Sequence, residues 1–126
     1  MRIAAQALVV AYSCVTLPSF AQDTNSYNGN WKVVGSVPGS GSYQADLRIE
    51  GDAGSWQALV TNRDDPCVGR KVPISVLSAT SEELTFRIKM SEALAGCQDS
   101  TAKLKRVDDS TLKGTRGRQE LTATRK

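Results

Sequence analysis

Strict alternation of apolar and polar residues over short segments is the feature that most constrains this chain. From Ser42 to Glu50, Tyr43, Ala45, Leu47 and Ile49 fall on one side, and Gln44, Asp46, Arg48 and Glu50 on the other. Successive side chains of an extended backbone point to opposite faces, so this pattern marks an antiparallel strand with one wet face and one buried face. Leu84 to Met90 repeats it, with Leu84, Phe86, Ile88 and Met90 set against Thr85, Arg87 and Lys89. Weaker versions run over Trp31 to Val37, Trp56 to Thr61, Val72 to Leu77, Lys103 to Val107, Thr111 to Thr115 and Gln119 to Arg125. Turn chemistry separates them at Pro38-Gly39-Ser40-Gly41, Gly51-Asp52-Ala53-Gly54, Asp64-Asp65-Pro66, Asp108-Asp109-Ser110 and Arg116-Gly117-Arg118. Parallel strands would need crossovers of roughly a dozen residues. Only Ser91 to Gly96, with a capping serine, an early acid and a closing glycine, has room for a helix, of one or two turns. The expected fold is therefore all-β: a small antiparallel up-and-down β-barrel of about eight strands with one short helix, because closure removes exposed edges. A β-sandwich is the alternative. A barrel of about eight strands encloses little more than its own side chains, so the interior should be filled.

Export is written into the first residues. Met1-Arg2 and the apolar run Ile3 to Val15, followed by Pro18 and the small-x-small Ser19-Phe20-Ala21, read as a cleavable signal peptide over 1–21. The run is shorter than the roughly 20 apolar residues that a membrane helix needs, so no stable membrane span is expected. The mature chain would be a single domain, 22–126, secreted or periplasmic. Lipidation at Cys14 is the alternative, although Tyr12 sits badly in a lipoprotein motif. Removing the signal leaves Cys67 and Cys97, which in an exported chain should form one disulfide, the alternative being free thiols or a metal pair.

Composition removes several kinds of chemistry. The chain has no histidine, which takes away the commonest general base, the usual Ser-His and Cys-His arrangements and the usual zinc sets. Glu82-Glu83 and Asp108-Asp109 sit in turns, where neighbouring side chains diverge, and Asp64-Asp65 lacks the glycine and distal glutamate of a calcium loop. We therefore expect no catalytic residues, no metal, no cofactor and no enzymatic activity. Residues 101–126 carry eight Lys or Arg against three Asp or Glu, so this third is expected to form a basic face. Nucleic acid is not the expected partner: every aromatic of 22–126 lies before residue 87, whereas single-strand binders interleave cations with stacking rings.

The two tryptophans allow two readings. Each can serve as core, or Trp31, Tyr43 and Trp56 can line one open end as a ligand-facing rim. Gly29-Asn30-Trp31 resembles the G-x-W that opens the first strand of the lipocalin and avidin group of barrels (the calycins), and Leu112-Lys113-Gly114-Thr115 resembles the L-x-G-T of avidin-like chains. The resemblance implies an eight-stranded barrel with a ligand in its mouth, and carries over Trp31 alone as a ligand residue. A non-enzymatic binding module follows, contacting an unidentified ligand through the loops at Pro38 to Gly41 and Pro66 to Lys71 and braced by Cys67–Cys97. Trp31, Tyr43, Trp56, Arg70 and Lys71 are the candidate contacts. The alternative is an inhibitor of an enzyme such as a lysozyme or protease, inserting the Asp64 to Lys71 loop, with Arg70 and Lys71 as anchors.

Overall fold

In the computed structural model, which describes residues 25–59 and 65–126, the alternating segments become eight strands. Segment 1–21 with Cys14, and also Thr61 and Asp64, lie outside the described residues. Strands β1 (Gly29–Val37) and β2 (Gly41–Glu50) pair so that Trp31 faces Leu47 and Val33 faces Ala45, which puts both apolar rows on one side. The same logic continues through β3 (Ala53–Ala58), β4 (Val72–Ala79), β5 (Glu83–Ile88), β6 (Ser100–Asp108), β7 (Thr111–Arg116) and β8 (Gln119–Arg125). Every strand is antiparallel to its sequence neighbour, and β8 pairs back onto β1 with Ala123 opposite Val33. The sheet is thus a closed up-and-down barrel.

Two glycines help it close. A Cβ on Gly54 would strike the carbonyl of Arg48, and one on Gly114 would strike that of Lys103. Bare backbone at these positions lets adjacent strands approach and coil, as a barrel of few strands requires. This corrects one sequence expectation. The turn before β3 uses only Gly51 and Asp52, and the strand begins at Ala53 rather than Trp56, because Gly54 serves the curvature of a strand rather than a turn.

The interior is filled. Trp31, Trp56 and Phe86 are each at most 1% exposed, with the Trp56 and Phe86 rings 6.3 Å apart, and no polar or charged side chain is buried among the described residues. The lower end is plugged by a short 3-10 helix, Asn25–Tyr27. Tyr27 is fully buried, and its hydroxyl donates to the Thr80 carbonyl at 2.5 Å. The Trp31 indole N–H in turn donates to the Tyr27 carbonyl at 2.8 Å.

The basic C-terminal third does not form one face. Strand parity sorts it: Lys103, Lys105 and Lys113 point outward, with Lys105 directly opposite Lys113, while Arg106, Arg116 and Arg125 continue the inward rows at strand ends. Each of these arginines covers an aromatic ring from the first half of the chain. Arg106 lies 4.9 Å from the Tyr27 ring centre, Arg125 4.2 Å from that of Trp31, and Arg116 5.5 Å from that of Trp56. Arg106 also donates to the Ser26 hydroxyl at 2.6 Å, and Arg125 donates to the carbonyls of Ser26 and Asn28, each at 2.7 Å. Strand ends are where a long cation can cover an apolar ring while its head meets carbonyls or water. Replacing Arg125 with glutamine should therefore cost about 2–4 kcal/mol, from the lost stacking and the two abandoned carbonyls. Urea denaturation followed by circular dichroism measures it; an unchanged midpoint would mean the plug does not depend on this side chain.

Candidate mouth cavity

The upper end is built differently. It carries the β1–β2 turn, the long β3–β4 connection, the β5–β6 connection with the short helix α1 (Met90–Ala93), and the β7–β8 turn. The helix is one turn and starts at Met90, one residue before the expected start. Ser91 does not cap it; instead the Asp99 carboxylate accepts the Ser91 backbone N–H at 2.9 Å. Asp99 also lies 3.5 Å from Arg87, which fastens the connection to the barrel wall.

Cys67 and Cys97 form the disulfide, with Cα atoms 5.7 Å apart, joining the β3–β4 and β5–β6 connections. Within the first of these, Asp65 opens a turn through Pro66, its side chain accepting the Cys67 N–H at 2.9 Å and its carbonyl the Val68 N–H at 3.2 Å. A turn at this place is the behaviour expected of an acid before proline.

Between these loops and the filled core lies a half-open cavity of about 530 Å3. Its lining is part apolar (Val37, Ala58, Val68, Met90) and part polar (Ser42, Tyr43, Asp65, Arg116, Gln119). Tyr43 comes from β2 and packs over Gly35 of β1, where any Cβ would collide with its ring. Its hydroxyl donates to Gln119 Oε1 at 2.5 Å. Arg116 donates to the Ser100 hydroxyl at 2.7 Å, approaches the Tyr43 hydroxyl at 3.4 Å and the Met90 sulfur at 3.9 Å, and roofs Trp56. It has no carboxylate partner among the described residues; the ion pairs run elsewhere, on the outer surface and across the loops.

The structure separates the five candidate contacts. Tyr43 lines the cavity. Trp56 is buried beneath Arg116, outside the lining, and Trp31 is buried at the opposite end against the plug. Arg70 and Lys71 are exposed beyond the disulfide; Arg70 folds back to donate to the Pro66 carbonyl at 2.8 Å, and Lys71 borders a shallow depression on the outer wall with Asp46 and Ser55. Arg116, Gln119, Met90 and Asp65 were not among the sequence candidates. The available clue was parity: Leu112, Gly114 and Arg116 share a face, as do Gln119, Leu121 and Ala123, so a polar residue ends each inward row.

Comparison with protein-family models, curated proteins and solved structures finds no match, so any assignment of role rests on this geometry. Among the described residues no helix is long and apolar enough to cross a membrane.

Two outcomes follow from the bracing of this end. The disulfide closes a loop with a sequence separation of 30. Converting Cys67 and Cys97 to serine should lower the unfolding free energy by roughly 3.5 kcal/mol. Acid should act through Asp99, whose carboxyl is held below the usual carboxylate range by the Ser91 backbone N–H first, then the Ser91 hydroxyl and Arg87. Asp108 is held low in the same way by the Ser110 N–H at the opposite end. A lowered carboxyl contributes stability that is complete above its unfolded value, near pH 4, and disappears as pH falls through its folded value. Melting temperatures taken from about pH 6 down to about pH 2.5 should fall less steeply for Asp99→Asn than for the unaltered chain.

Proposed function

We propose that this chain is an exported, non-enzymatic binding protein that seats a small ligand in its mouth cavity. The observation that carries the reading is the contrast between the ends: one sealed by the Asn25–Tyr27 plug, the other open above a filled core and framed by disulfide-tied loops. Loops held in place before a ligand arrives reduce the ordering cost of binding, and about 530 Å3 of mixed lining falls within the range of small-molecule sites. The eight-strand up-and-down order, with Gly29-Asn30-Trp31 opening β1, supports placing the chain near the lipocalin and avidin group. Export is supported by the leader-like 1–21 segment and accords with the disulfide.

A second reading, an inhibitor of an extracytoplasmic enzyme such as a lysozyme or protease, is favoured by the exposure of Arg70 and Lys71 beside the disulfide. One experiment separates them. The full chain, exported and purified with its disulfide formed, is denatured and its extract examined by mass spectrometry, while the native protein is used for affinity capture from the periplasm or medium. A small molecule recovered in stoichiometric amount, and lost from Tyr43→Ala, is the expected result. Capture of one enzyme, abolished by Arg70→Ala with Lys71→Ala, would overturn it.

A further inference from the structure

The mouth cavity has a chemical bias that narrows what it accepts: donors outnumber acceptors around its floor. Arg116 carries five N–H groups, and only the bond to the Ser100 hydroxyl, at 2.7 Å, is short. Its approaches to the Tyr43 oxygen at 3.4 Å and the Met90 sulfur at 3.9 Å are long, and sulfur is a weak acceptor. The Tyr43 hydroxyl donates to the Gln119 carbonyl oxygen, which orients the Gln119 amide and leaves its N–H2 without an acceptor among the described residues. A half-buried cation with spare donors, beside a second donor side chain, leaves a demand that an acceptor-rich anion would meet.

Asp65 sets the upper limit on that charge. Strands β3 and β7 lie four steps apart around a closed barrel of eight, so the loop carrying Asp65 and the end of β7 carrying Arg116 bound opposite sides of the mouth. Asp65 makes no ion pair among the described residues, and one of its oxygens is committed to the Cys67 N–H. Its charge therefore opposes a second negative group reaching that wall. Val37, Ala58, Val68 and Met90 supply the apolar part of the lining, with the hydroxyls of Ser40 and Ser42 at its edge.

Resting on the mouth-cavity reading above, we propose that the ligand is a small monocarboxylate: its carboxylate bridges Arg116 and the Gln119 amide, and its apolar body lies across Met90, Val37 and Ala58. Arg116 presents its planar fork from a rigid strand end, already stacked on Trp56, which suits bidentate capture of a carboxylate better than a flexible ammonium would. Dicarboxylates whose second charge reaches the opposite wall are disfavoured by Asp65.

The test uses the full exported protein with its disulfide formed, titrated with octanoate, with its neutral counterpart octanamide and with the dianion octanedioate, while the NMR signals of Tyr43, Met90 and Arg116 are followed. Octanoate should move these signals and bind about tenfold or more tightly than octanamide. Arg116→Gln should bring the two within about twofold of one another, and Arg116→Lys should restore part of the difference. Octanedioate should bind more weakly than octanoate, and Asp65→Asn, which keeps the acceptor for the Cys67 N–H, should narrow that gap. Equal binding of octanoate and octanamide to the unaltered protein, with the cavity signals moving, would overturn the monocarboxylate assignment and leave the cavity as a ligand seat. Failure of all three compounds to move those signals would overturn both.

Discussion

Pairing of β8 with β1 is the constraint on which the rest of this structure depends. It joins the first strand to the last, removes the two edges that an open eight-stranded sheet would expose, and sets Arg125 directly opposite Trp31 in the register. Without that pairing the basic third of the chain and its aromatic half would have no reason to meet. With it, three arginines from β6, β7 and β8 each find a ring from the first half, two against the plug and one beneath the mouth. Long-range order in this small domain is thus carried by backbone ladders and finished by cations laid on aromatic faces.

The division of labour between the ends follows from what each has to satisfy. At the plugged end the carbonyls of Ser26 and Tyr27 in the 3-10 segment, and of Asn28 just after it, are met by Arg125 and Trp31, as backbone acceptors at a closed end need donors. At the mouth the equivalent cation, Arg116, finds only hydroxyls and a thioether. The same residue type in the same kind of position thus meets two carbonyls at one end, in Arg125, and a single hydroxyl at short range at the other, in Arg116.

Much of the fold was legible because period-two patterning and turn chemistry act locally. Each of the eight alternating segments contributes a strand, β8 with its expected bounds, whereas β3 runs Ala53–Ala58, three residues ahead of its expected start. Errors arose where a local cue served a non-local need. Gly54 looked like turn residue but admits the Arg48 carbonyl; Ser91 looked like a cap but receives one from Asp99. The site was less legible for the same reason. Tyr43 was visible as an aromatic, but Arg116 was counted as surface charge, because one-dimensional charge density ignores which side of a strand a residue occupies. Trp31 shows the reverse: a short motif suggested a ligand residue, and the residue lies at the sealed end, bonded to the Tyr27 carbonyl.

The placement of the two tryptophans gives the molecule a property beyond packing. The chain has only these two indoles, one in the plugged base and one beneath the mouth, each with a guanidinium over its face. Indole emission responds to nearby charge and water, so each tryptophan is an intrinsic optical reporter of a different end. A variant keeping only Trp56 would register occupancy above the core, and one keeping only Trp31 would register fraying of the base. The protein thereby carries the means to distinguish an event at its opening from a loosening of its foundation without any added label.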